Sequence, residues 1–98
     1  MTMVNFRLYT AATRGTAPDE KDLIYKLLDF VSFGGIPDKF YRIALIERLS
    51  DNSYIVANGL HFHENAAISW NYGHYYGAGE FLSAKYKFLH CIRVYNNY

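Results

Sequence analysis

The chain has 98 residues, of which 51% are apolar and 19% charged, with a formal net charge of +1. A chain of this length holds one hydrophobic core, and its apolar share excludes a disordered or low-complexity polypeptide. The balanced charge excludes a strongly basic nucleic-acid tail and an acidic DNA mimic.

Residues 3–10 alternate. Val4, Phe6 and Leu8 face one way, and Met3, Asn5, Arg7 and Tyr9 the other, which predicts a half-buried strand. Thr13, Gly15 and Thr16 mark a loop. Thr16 and Asp19 form an acidic variant of the capping box, with Pro18 near the first turn. Leu23, Ile24, Leu27, Leu28 and Val31 then draw one stripe at helical period. Gly34-Gly35 and Pro37 supply a stop. A helix over 17–33 follows, about 25 Å long at ~1.5 Å per residue.

Residues 40–58 read as a hairpin around the turn Ser50-Asp51-Asn52-Ser53. Tyr41, Ile43, Leu45 and Leu49 share one face. Arg42, Ala44, Ile46 and Arg48 share the other, and Glu47 falls on the apolar face, where it needs a strand end or a partner. Gly59 reads as a bulge in a strand that continues through Leu60 to His63. After a turn at Glu64-Asn65-Ala66, residues 68–76 alternate as one strand. Ile68, Trp70, Tyr72, His74 and Tyr76 lie on one face, and Ser69, Asn71, Gly73 and Tyr75 on the other. Residues 80–95 fit both a helix and a strand; their length and the preceding glycines favour a helix, fraying at Asn96-Asn97-Tyr98. The predicted fold is a two-layer α+β domain spanning 1–98, with order β-α-β-β-β-α and a mainly antiparallel sheet.

The catalytic patterns are incomplete. His61 and His63 share a strand face, and a hairpin would bring His74 alongside, a candidate metal set completed by Glu64. His-x-His on a strand is similar to the cupin motif. That motif continues to a Glu four or five residues after the second His, where this chain has Ala67 and Ile68. Gly73, Gly77 and Gly79 do not make a phosphate loop, since Glu80 and Phe81 stand where Lys and Ser or Thr are required. Ser32, Ser50, Ser53, Ser69 and Ser83 all lack a nucleophile-elbow context. Cys91 has no internal disulfide partner and reads as a reduced thiol. Its neighbour His90 diverges from it on either a helix or a strand. No cofactor is expected.

Aromatic residues are the outstanding feature: ten Tyr, seven Phe and one Trp. Tyr and Trp offer large contact area, few rotatable bonds and a polar tip. Tyr25, Tyr41 and Tyr54 suit the core or its edge, and the surplus concentrates in Trp70, Tyr72, His74, Tyr75 and Tyr76. Both faces of that segment cannot be hidden in a two-layer domain, so it is the candidate interface. Trp70, Tyr72 and Tyr76 could also stack bases. The phosphates would then fall to Arg42, Arg48, Lys85, Lys87 and Arg93, a thin footprint in a chain with nine acids.

Trp70-x-x-Gly73-x-Tyr75 followed by a helix from Glu80 resembles small proteins of phages and plasmids, with anti-CRISPRs similar in size and in lacking a catalytic motif. The resemblance covers about a quarter of the chain and implies inhibition of a host defence complex by protein contact. The expected function is therefore a non-enzymatic binding protein with a host protein as partner, or a homodimer paired through its aromatic face. A metal-dependent enzyme and a single-stranded nucleic-acid binder are the alternatives. No stretch approaches the ~18–20 apolar residues of a membrane span and the first residues lack a signal-peptide pattern, so the expected location is the cytoplasm, that of a host for a phage protein.

Overall fold

A computed structural model describes residues 5–34 and 41–96. The expectations at Met3, Val4, Gly35, Pro37, Phe40, Asn97 and Tyr98 lie outside them. In chain order the elements are β1 (Asn5–Leu8), a 3-10 turn (Glu20–Asp22), β2 (Tyr25–Phe33), β3 (Tyr41–Arg48), β4 (Ser53–Asn58), β5 (His61–His63), β6 (Ala67–Ser69), β7 (Tyr72–Tyr76) and α1 (Phe81–Asn96). The strands form one curled sheet in the order β5-β6-β1-β2-β3-β4-β7. Neighbours are antiparallel except β1 and β6, which run parallel. The α+β class holds, but the sheet is larger and mixed, and the described residues form one α-helix where two are expected.

The β3–β4 hairpin forms as expected and is apolar on both faces. Ile43, Leu45 and Val56 point toward α1 and pack with Ala84 and Phe88. Ala44, Ile46, Ile55 and Ala57 point the other way and pack with Tyr25, Leu60 and Ile68. Thus α1 covers one face, and the sheet curls its β6 side over the other. Glu47 ends up near the strand terminus, accepting from Asn52 Nδ2 at 3.3 Å. Beside it Arg48 forks onto Asp51 and holds that carboxyl well below its usual range, with help from Ser53.

The expected helix over 17–33 is a strand. Leu27 pairs with Ile46 and Asp29 with Leu45, so Leu28 is an extra residue, a β-bulge. The bulge puts Leu27 against one core cluster and Leu28 and Val31 against the other. A bulged strand with partly buried apolar residues on both faces, preceded by Ile24, thereby spaces them at 24, 27, 28 and 31, which imitates a helical stripe. The capping signal shrinks to the 3-10 turn, where the Asp19 side chain accepts from the Lys21 N–H at 3.3 Å.

Two other strands end early. Beyond β4, the N–H groups of Gly59 and Leu60 both donate to the Arg42 carbonyl, at 2.9 and 3.0 Å. Gly59 turns at φ +74°, a conformation that favours glycine, and the chain leaves for β5, which pairs with β6. The expected strand 68–76 breaks at Trp70-Asn71 into β6 and β7.

Arg7 was expected opposite the buried face of β1, yet it is 3% exposed while Leu8 is 39% exposed. Its guanidinium donates to the Thr13 carbonyl at 3.1 Å, to Thr16 Oγ1 at 3.3 Å, to the Asn65 carbonyl at 3.2 Å and to the Thr16 carbonyl. The arginine thus ties the 9–18 loop to the β5–β6 turn through carbonyl oxygens. Arg7→Ala should cost about 1.5–3 kcal/mol, because it removes a buried guanidinium and the part-buried, charge-assisted bonds by which it joins the two loops. Arg7→Lys should recover less than half, lacking the planar fork. Urea denaturation measures both; a loss under about 0.5 kcal/mol for Arg7→Ala would contradict this role.

Candidate functional site

Among the described residues β7 is an edge strand, bonded to β4 on one side and open on the other. Its register sets the fate of each aromatic residue. Tyr72, His74 and Tyr76 pair with Asn58, Val56 and Tyr54, on the face toward α1. Tyr76 packs into that cluster, His74 is half-buried, and Tyr72 is 56% exposed. Tyr75 pairs with Ile55 on the opposite face and is 66% exposed. Trp70 precedes the strand and packs against the other cluster, edge-on to Tyr25 at 5.8 Å. The break at Trp70-Asn71 therefore divides the expected stripe between the two faces. Trp70, Tyr72 and Tyr76 do not form one stacking platform.

Trp70, Gly73 and Tyr75 form a local unit. The indole Nε1–H donates to the Tyr75 hydroxyl at 3.2 Å. A Cβ on Gly73 would sit 3.2 Å from both the indole nitrogen and the Tyr75 hydroxyl. Glycine thus lets the phenol lie across the strand to reach the tryptophan. At the far end Gly77 donates its N–H to the Glu80 carboxylate at 2.7 Å, joining the turn to the start of α1; Gly79 turns there at φ +91°.

The three histidines are not brought together. His63 shares a hydrogen bond of 2.7 Å with Ser69 Oγ and stacks on Tyr9, with centroids 3.8 Å apart. His61 shares one of 3.3 Å with Asn71 Oδ1. His74 stands on β7 toward α1. Among the described residues no group of three or more His, Cys, Asp or Glu is placed to hold a metal ion. The scattered cations are also committed elsewhere in part: Arg48 to Asp51 at 2.7 Å, Lys85 to Asp29 at 3.7 Å, and Arg42 over the Phe62 ring at 5.2 Å.

Sequence reasoning missed a cleft of about 280 Å³ between β7 and α1, lined by Tyr72 and His74 on the strand side and by Lys87, His90, Cys91 and Val94 on the helix side. Those helix positions follow i, i+3, i+4, i+7, so the signal was present. Burial, and then its hydrogen bond with Tyr72, pushes the Tyr41 phenol at the end of the cleft up to about 12. Burial, and then the Lys87 ammonium, lowers His74.

No protein-family model, curated protein or solved structure matches this chain. Among the described residues no helix is long and apolar enough to cross a membrane.

His74 carries a pH dependence. Its folded-state pKa lies below its unfolded value of ~6.5, so the folded protein resists the proton that the unfolded chain accepts. His74 contributes fully above ~6.5, and stability falls as pH drops through that value. The groups facing it are Lys87, His90 and Cys91 from α1, Tyr41 from β3, Asn58 from β4 and Tyr72 from its own strand. Lys87→Met should raise the His74 pKa, read by NMR titration of the ring protons, and should shrink the stability loss between about pH 7 and pH 5. An unchanged His74 titration would contradict the coupling.

Proposed function

We propose that this chain is a non-enzymatic binding protein that engages a partner protein along the β7 edge. One observation carries the reading: an open edge strand, Tyr72–Tyr76, with an exposed phenol on each face. Edge strands are ordinarily blunted by charge or proline; the segment Tyr-Gly-His-Tyr-Tyr has neither Asp, Glu, Lys, Arg nor Pro. Such an edge can accept a partner strand through main-chain hydrogen bonds, while side chains on alternate faces supply specificity. Tyr72 and Tyr75 are well suited to that second part, as rigid aromatic groups with polar tips. The other edge strand, β5, has only three residues.

The narrower form of the proposal is an inhibitor encoded by a phage or mobile element, occluding a host defence complex in the host cytoplasm. The resemblance of Trp70-x-x-Gly73-x-Tyr75 to small phage and plasmid proteins supports it, as does the role of those three residues in setting the Tyr75 ring across the edge.

The test is co-purification from host lysate at micromolar protein. Wild type should retain a partner in stoichiometric amount. Tyr75→Ala should weaken the complex at least about tenfold, and Tyr72→Lys with Tyr75→Lys should abolish it by placing charge on the edge. Circular dichroism checks that the variants fold. Absence of any partner, or binding that survives the double variant, would overturn the proposal.

A further inference from the structure

The cleft between β7 and α1 has features that a protein-binding edge does not need. Its volume of about 280 Å³ equals about nine waters at ~30 Å³ each, room for one ring system and a substituent. Ile43 and Asn58, both buried, lie at its deep end. Tyr41 and Tyr95, stacked with centroids 4.5 Å apart and planes within 6°, close one end with a flat aromatic surface.

The charge is one-sided. Among the described residues no carboxylate lines the cleft, and α1 has no acidic residue along its length. Lys85, two residues before Lys87, is paired with Asp29 at 3.7 Å. Among the described residues Lys87 has no carboxylate partner. It shares the cleft with two imidazoles, His74 and His90. A cation and two imidazoles able to donate hydrogen bonds therefore face a partly apolar space that holds no negative side chain among the described residues.

From this placement we propose that the cleft is a binding site for a small organic monoanion with a flat apolar body, an aromatic carboxylate. Lys87 provides the countercharge, His74 and His90 donate hydrogen bonds, and Tyr41, Tyr72 and Val94 contact the ring. A phosphate is a poorer match. The site offers one ammonium and no arginine fork, and it lies along the C-terminal half of α1, where the helix dipole opposes a concentrated negative charge.

The probe is indole-3-acetate, with its uncharged amide, indole-3-acetamide, as the comparison. Calorimetry on the full chain should show saturable binding of the acid, and the amide should bind at least tenfold more weakly. The ring protons of His74 and His90 should shift on titration with the acid. Lys87→Met should lose at least tenfold in affinity for the acid and none for the amide, while Lys85→Met, outside the cleft, should leave both unchanged. Equal affinity for acid and amide would overturn the proposal. So would the absence of saturable shifts at His74 at about 5 mM probe, equal losses in the two lysine variants, or displacement of the probe by an equal concentration of inorganic phosphate.

Discussion

The structure depends on a hairpin that must be covered on both sides. β3 and β4 send Ile43, Leu45 and Val56 one way and Ala44, Ile46, Ile55 and Ala57 the other, and all of these are buried. One helix can cover only one face. The second is closed by the sheet itself, which curls so that Leu60 and Ile68 reach the far side of the hairpin. The bulge at Leu28 and the corner at Gly59 belong to this solution, since bulges sharpen twist and a positive φ redirects the chain. The buried Arg7 belongs to it as well. A curled edge brings the 9–18 loop and the β5–β6 turn together, and the Arg7 guanidinium joins their carbonyls there.

That arrangement explains what was legible in the sequence. The hairpin was visible because its turn residues are local and its alternation is clean. The C-terminal helix was visible because its length exceeds that of ordinary strands. β2 was misread because periodicity arguments assume one buried face. With apolar packing on both faces and an extra residue, Leu27 and Leu28 are both apolar neighbours, and a strand acquires helical spacing. The break at Trp70-Asn71 was hidden for a related reason. Alternation continues across it, yet the chain changes face, and nothing local distinguishes Trp70 on one side from Tyr72 on the other.

The aromatic excess also resolves into separate uses. Tyr25 is buried beneath Trp70; Tyr54 meets Phe81 edge-on at 5.4 Å; Tyr41 and Tyr95 stack. Phe62 bridges Phe6 and Phe30. In a small domain with a single helix, broad flat rings close gaps between sheet and helix that aliphatic side chains would leave open. Among the described tyrosines, Tyr72, Tyr75 and Tyr86 remain exposed. Two of the three stand on the one edge strand that is long and uncharged, which concentrates the surplus where backbone groups are also free.

Tyr72 joins the two proposed sites. Its backbone lies on the β7 edge, and its ring lines the cleft beside Tyr41 and meets His74 edge-on at 5.9 Å. A ligand that fixes this ring in the cleft would alter what the edge presents, and a strand added to the edge would restrict the ring. Such coupling is reciprocal in free energy. Tyr75 has no such double role, because it points to the opposite face and is held by Trp70. Changes at Tyr75 therefore act on the edge alone and changes at Lys87 on the cleft alone, whereas Tyr72 reports on both.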